Sequence, residues 1–468
     1  MKMMEIQDYT PQPGELVEFK IAGPARSATA AGSAHPAPPS QLQENHIRRN
    51  LANQAAGRPQ SHWIGVAFDM PGKLDTAALV KALTRWVRRH PTLLTWFTLD
   101  DDRLHRHAVP PETVTLEPVN SGSYDSSTAL RDALMTRLAS GTDAMRWPSF
   151  VAGAVLRGEG QASTVWLGIE HSHSDGYSVA LVFSELRALY EAEAAGTEVC
   201  LPATGSYVDY CVLDRERAAL VTADAPGVRR WVDFYRAGSA PEFPLDLGME
   251  PGVFYPGVTI EMDVFDTEQA HAFAQECKRH GAGFTAGLHA AMGITGDDLS
   301  GRSDYRGLSV VHTRTERRWQ YTQGWFVNLV PIECSAADGF GKAAIGTQQA
   351  LTAVADLTGI TPMKVMELAP DLATTIQSET AAAYPTVSYI DCRHIPGSHD
   401  WAAANCTGLE GPRSSRQVLL WVNRLWDRTY LKAHYPNTPV ARQNVPRVLT
   451  HLRRVLRTVA QTGERPSV

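Results

Sequence analysis

The seven residues Glu170-His171-Ser172-His173-Ser174-Asp175-Gly176 stand directly after an apolar run, Ser163–Ile169 (STVWLGI), and directly before a segment of helical periodicity. The run reads as a buried strand, since it is short and continuously apolar. Val182, Leu186 and Leu189 then fall on one helical face, with Ser178 as the expected cap. A strand that delivers an imidazole to the start of a helix puts a titratable group on an anchored backbone. An imidazole titrates near neutral pH, so it can act there as a general base. The glycine after the aspartate permits a tight turn and leaves a backbone N–H exposed. A histidine at a strand end is more commonly structural, so the heptad alone leaves catalysis open.

The alternation of strand and helix continues in both directions. His62–Met70 (HWIGVAFDM) reads as a strand, Pro71-Gly72 as a turn, and Asp75 as a helix cap. Leu79, Leu83, Trp86 and Val87 form that helix's stripe, Arg88-Arg89-His90 complement its dipole, and Pro91 stops it. In the second half, Asp266 and Thr285 are expected caps, and Leu308–His312, Gly324–Ile332, Val387–Ile390 and Val418–Val422 are expected strands. Asn444 and Pro446 are expected to open the last helix. Ala22–Ser40 is small and Pro-rich, cannot offset its ordering entropy by burial, and reads as a mobile loop. Ala194–Gly205 and Val221–Gly227 are loop-like and mark a lobe boundary. Interleaved strands and helices in both halves indicate an α/β (α+β) protein of two lobes, residues 1–215 and 216–468.

Composition narrows the classes of function. With 44 basic against 50 acidic residues and a net charge of −6, the chain offers no basic field for nucleic acid or anionic lipid. A length of 468 residues allows about three domains on length alone, or one two-lobed unit. Cys200, Cys211, Cys277, Cys334, Cys392 and Cys406 are far apart and form no CxxC pair, which fits a reduced cytoplasmic protein. The start, MKMMEIQDYTPQPGE, lacks the apolar core of a signal peptide, and no run of about 18 apolar residues predicts a spanning helix. One metal reading competes for the heptad. His171, His173 and Asp175 alternate on one strand face and could hold zinc, as in hydrolases with H-x-H-x-D-H, but the last position here is Gly176.

Several ordered segments resemble the condensation-domain superfamily, whose motif is HHxxxDG. Pro39-Ser40-Gln41-Leu42-Gln43 resembles its S-x-x-Q element, Leu74–Phe97 its LD..AL..AL..L..RH helix, and His171–Gly176 the HxxxDG itself. Tyr207–Tyr210 (YVDY) and Gly324–Pro331 (GWFVNLVP) resemble two further landmarks. Asp8–Phe19, His46–Asn50 (HIRRN), Phe68–Lys73 and Trp421–Arg424 (WVNR) narrow the resemblance to mycobacterial polyketide-associated acyltransferases of the trehalose-2-sulfate type. The first motif histidine is replaced by Glu170.

The resemblance implies two chloramphenicol-acetyltransferase-like lobes in a V with a tunnel at their interface. It implies a free-standing monomeric O-acyltransferase that moves an acyl group from acyl-CoA or an acyl carrier protein to a hydroxyl of a trehalose-like sugar or a lipid or polyketide alcohol. The donor is a substrate, delivered as coenzyme A thioester or by a carrier protein of a polyketide or fatty-acid synthase, and no cofactor or metal is required. His171 is then the general base, Gly176 an oxyanion donor through its N–H, and Asp175 a structural anchor paired with an arginine from the other lobe. Arg317 is the first candidate for that arginine and Arg314 the second. His173, Glu170, Trp325, Phe326 and Asn328 are candidates to line the tunnel, with a core role for His173 as the alternative. Three other functions stay open: amide formation by a stand-alone condensation enzyme, zinc hydrolysis, and a catalytically silent binding module.

Overall fold

Two long sheets carry the interleaved strands, one in each of two compact units of this computed structural model, which describes residues 1–23, 33–58, 60–158, 160–236, 243–250, 252–372 and 385–466. The first unit contains Met1–Ala219, Arg314–Phe326 and His394–Pro412; the second contains Leu220–Thr313, Val327–Arg393 and Arg413–Val468. The expected cut at residue 215 falls inside the helix Tyr207–Ala219, and two later segments return to the first unit.

The first unit's sheet has the order Lys2–Glu5, Thr407–Glu410, Trp63–Met70, Ser163–Glu170, Phe150–Leu156, Gly14–Ile21, Leu116–Tyr124. The motif-bearing strand Ser163–Glu170 is central, antiparallel to both neighbours, and buried at every position. Both of its faces are covered, which explains the apolar stretch Val165–Ile169 at its centre. On one side Leu130, Leu134 and Leu138 of helix Ser127–Gly141 pack with Trp166, Val155 and Trp63. On the other, helix Gly176–Ala195 brings Phe183 edge-on to Phe68, with ring centroids 5.2 Å apart. Gly153 lies against this core because a Cβ there would come 2.4 Å from the Trp166 ring and 2.5 Å from the Val17 carbonyl. Gly153→Ala is therefore expected to destabilise the protein by about 1–3 kcal/mol through overpacking, read as a lower urea midpoint.

The second unit's sheet has the order Val327–Ser335, Asp304–His312, Thr386–Asp391, Leu419–Arg424, Arg428–Pro436, Tyr255–Asp266, Ser414–Ser415. Helices Thr267–Arg279, Phe284–Ser300, Phe340–Ala353 and Pro439–Thr462 supply the rest of its core, including Phe273, Leu288, Phe340 and Leu452. No helix among the described residues is long and apolar enough to cross a membrane.

Asp75 and Asp266 cap their helices as expected, the latter within a capping box with Gln269. Other boundaries differ. Asp175, not Ser178, caps Gly176–Ala195, because its carboxylate accepts the Ser178 N–H at 2.6 Å. Gly283, not Thr285, precedes Phe284–Ser300. The last helix opens at Pro439 under a Thr438 cap, so Asn444 and Pro446 lie inside it, where buried Ala441 and Val445 extend the apolar stripe by two turns. Gly324–Phe326 stays outside the strand Val327–Ser335 because its backbone is engaged elsewhere. Within the expected loop Ala22–Ser40, Ser33–His35 pairs with Arg103–Ala108; residues 24–32 lie outside the described residues. His90 is fully buried and meets Glu185 at 2.8 Å, with Arg89 on the same carboxylate, so this end of the helix is packed inward, not solvated.

Candidate active site

His171 keeps partial exposure, as does Gly176, while Glu170, Ser172, His173, Ser174 and Asp175 between and before them are buried. Its backbone N–H donates to the His62 carbonyl at 2.7 Å, which ties the turn to the adjacent strand. Its ring lies against Trp325, with centroids 4.4 Å apart. A one-turn 3-10 helix, His171–His173, then joins the strand to helix Gly176–Ala195. The imidazole thus sits on a backbone fixed from both sides and still reaches solvent.

Asp175 faces away from proton chemistry. Its Oδ1 caps the helix, its Oδ2 accepts the Phe326 N–H at 2.9 Å, and Arg314 Nη2 lies 3.2 Å from each oxygen. Arg314 also donates to the carbonyls of Trp319 and Thr322, each at 2.7 Å, and to the Ser178 hydroxyl at 2.5 Å. Its guanidinium stacks over Phe326 at 4.2 Å. The partner is Arg314, while Arg317 is exposed on a surface turn. Arg314 belongs to the same compact unit as Asp175, not to the other one, because Arg314–Phe326 returns to that unit.

Gly176 is the first helical residue and has an ordinary backbone conformation, so no tight turn demands glycine there. A Cβ at this position would meet nothing within 4 Å. The first N–H groups of a helix have no intrahelical acceptor, and positive dipole density gathers there.

Four of the five residues considered for channel lining are packed inside. His173 is fully buried, accepts or donates through Nδ1 to Thr92 Oγ1 at 3.0 Å, and burial pushes its pKa down to about 4. Phe326 is fully buried among Tyr207, Tyr210 and Trp319. Asn328 is buried in the second unit, with its amide on the carbonyls of Leu357 and Ile360, both at 3.1 Å. Glu170 is buried against His46 and Ser172. Trp325 alone of the five keeps partial exposure. The zinc arrangement does not assemble: His173 turns to Thr92 and Asp175 is occupied by Arg314, and no group of three such side chains among the described residues is placed to hold a metal.

The buried neutral state of His173, and of His289 whose pKa burial pushes down to about 3, links folding to pH. Both values lie below that of an unfolded histidine, about 6.5. The unfolded chain therefore binds more protons, so this stability is present above about pH 6.5 and lost as pH falls toward the folded values. Urea midpoints are expected to drop between pH 7.5 and 5, and less steeply in His173→Gln.

Several residues that hold the site stand in the sequence only as landmarks, without a role at the turn, and Arg106 and Gln323 not even as those. Gln43 Nε2 donates to the Ser172 carbonyl at 2.8 Å, while its Oε1 accepts from buried Arg106 at 3.0 Å. Ser40 caps helix Gln41–Ala55 and meets the Tyr207 hydroxyl at 3.1 Å, which donates to the Trp325 carbonyl at 3.0 Å. Gln323 donates to the Ser178 carbonyl at 2.7 Å. The S-x-x-Q, YVDY and GWF segments thus converge on one motif turn. Their order along the chain was the available signal.

A condensation-domain family model matches residues 37–356. The chain is 28% identical to the 2'-acyl-2-O-sulfo-trehalose (hydroxy)phthioceranyltransferase PapA1 of Mycobacterium tuberculosis, over 99% of this chain and 89% of that protein. It is 28% identical to the trehalose-2-sulfate acyltransferase PapA2 of the same organism, over 96% of this chain and 95% of that one. Its structure superposes on a solved PapA2 acyl transferase with a TM-score of 0.88 at 26% identity, covering 98% of this chain and 100% of the other. The condensation domain of the Monacolin K polyketide synthase MokA shares the fold, with a TM-score of 0.71 at 15% identity and coverage of 92% and 98%. With most of its length matched by the family model and its landmarks gathered on one turn, the chain belongs to the condensation-domain family, as an acyltransferase.

Proposed function

We propose that the protein is a free-standing O-acyltransferase that moves an acyl group from a thioester, acyl-CoA or acyl carrier protein, to a hydroxyl of a trehalose-like sugar, with His171 as general base. The observation that carries this reading is the contrast within the motif: His171 reaches solvent, while Asp175 is fully committed to Arg314, Phe326 and Ser178. A single partly exposed imidazole suffices for acyl transfer from an activated donor. His171 takes the acceptor hydroxyl proton as the oxygen attacks the thioester carbonyl, and the new C–O bond gives a tetrahedral oxyanion. Collapse breaks the C–S bond, and the thiolate takes the proton from the imidazolium. The Gly176 N–H, at the start of a 20-residue helix with open space beside its Cα, is the donor we assign to the oxyanion. The sugar acceptor is supported by likeness to PapA1 and PapA2, whose names specify sulfated trehalose.

The test is thiol release from acyl-CoA of several chain lengths with trehalose, trehalose-2-sulfate or an amine as acceptor, with the product identified by mass. Ester product that depends on His171 supports the reading. Amide product, or turnover indifferent to His171, would replace it.

A further inference from the structure

Where the family motif has its first histidine this chain has Glu170, a carboxylate only 1% exposed. Such a group is costly to bury unless donors surround it. Its Oε1 lies 2.9 Å from His46 Nε2, and its Oε2 accepts the Ser172 N–H at 2.8 Å together with the Ser172 hydroxyl. Burial alone would raise its pKa, yet the hydrogen bonds from His46 and Ser172 hold it down at about 2, so it is a carboxylate at working pH. An ionised Glu170 requires a proton on the His46 nitrogen that faces it.

His46 projects from helix Gln41–Ala55, the helix that Gln43 fastens to the motif turn. Its ring is edge-on to Trp325 at 5.1 Å and 5.8 Å from the ring of His171. Trp325 in turn lies against His171. The three rings form one cluster, with the carboxylate on its buried side. The other titratable or charged groups facing the pair are His173 on the motif turn and, through Gln43 and His173, Arg106 on strand Arg103–Ala108.

We propose that Glu170 and His46 are a positioning pair for His171: His46 braces Trp325 against the catalytic ring, and the pair sets the charge that ring experiences. This rests on His171 being the base. With Glu170 on the strand and His46 on the helix, the chain keeps an ordered base without the usual first histidine.

The pair makes a prediction with a sign that mere packing does not. Removing the negative charge in Glu170→Gln disfavours the imidazolium of His171 and lowers its pKa. Removing the proton donor in His46→Leu leaves the carboxylate less screened and raises it. The measurement is an NMR titration of protein labelled at the histidine Cε1 position, with the His171 signal assigned from its loss in His171→Gln. Shifts of at least about half a pH unit in opposite directions are expected. In the thiol-release assay, kcat should fall about tenfold in both variants with KM nearly unchanged, since positioning of the base is lost and not binding. Shifts of the same sign, or none, overturn the proposal. If Glu170→Gln melts cooperatively at too low a temperature to titrate, Glu170→Asp keeps the charge and must leave the His171 titration at its wild-type position; a shift there overturns the proposal as well. Failure of the acyltransfer reading looks different: His171→Ala would retain turnover whatever the titrations show.

Discussion

Turnover of His171→Ala is expected to fall by about 10²–10⁴-fold, the share a positioned general base contributes. The fold should not change, because the ring is partly exposed and the turn is held by backbone and neighbouring side chains: the His171 N–H on His62, Gln43 on the Ser172 carbonyl, and Asp175 on its helix. What survives in the variant is the proximity of donor and acceptor, together with the helix N-terminus at Gly176. Thiol release measured beside a thermal melt checks both halves. A variant with wild-type turnover would remove His171 from the chemistry. The Asp175→Asn variant separates the roles further, since it should lose stability along with activity, whereas His171→Ala loses activity alone.

Arg314→Ala is expected to cost about 3–5 kcal/mol of stability, because it strands the Asp175 carboxylate in the interior. Both side chains are only 6% exposed, so water screens the pair little. The loss extends past one ion pair, since Arg314 also closes the loop through the carbonyls of Trp319 and Thr322 and covers the face of Phe326. Arg317→Ala, three residues on and exposed, should stay within about 0.5 kcal/mol of wild type. Replacing both members of the pair, Asp175→Asn with Arg314→Met, should recover part of the loss because no charge is left buried. Urea midpoints of the four proteins test this, and equal midpoints for the two arginine variants would overturn it.

Local signals in the sequence decided much of this fold. Asp75 and Asp266 cap helices by reaching backbone two or three residues ahead, and the apolar runs Ser163–Ile169 and His62–Met70 pair with each other at the centre of a sheet. Such features depend on neighbours along the chain, so composition and spacing display them. Ser178 is not the cap because serine and aspartate compete for that role, and only tertiary structure reveals that the serine hydroxyl serves Arg314. Pro446 looked like a helix start, yet burial of Ala441 and Val445 carries the helix through it. The choice between Arg314 and Arg317 rests on a turn that exposes one and buries the other's side chain, which periodicity cannot rank. His46 was visible as part of HIRRN, but its pairing with Glu170 spans 124 positions and has no local signature.

The return of Thr407–Glu410 to the first unit has a consequence for biosynthesis. That strand lies between Lys2–Glu5 and Trp63–Met70, and it is the strand with which Lys2–Glu5 pairs. During vectorial translation the amino-terminal strand therefore leaves the ribosome long before its neighbour exists, and the Trp63–Met70 edge stays unpaired meanwhile. Exposed strand edges invite pairing with other chains. The nascent chain is accordingly most prone to aggregate before residue 410 emerges, and a gene truncated at the unit boundary after Ala219 would encode an open sheet that also lacks Arg314.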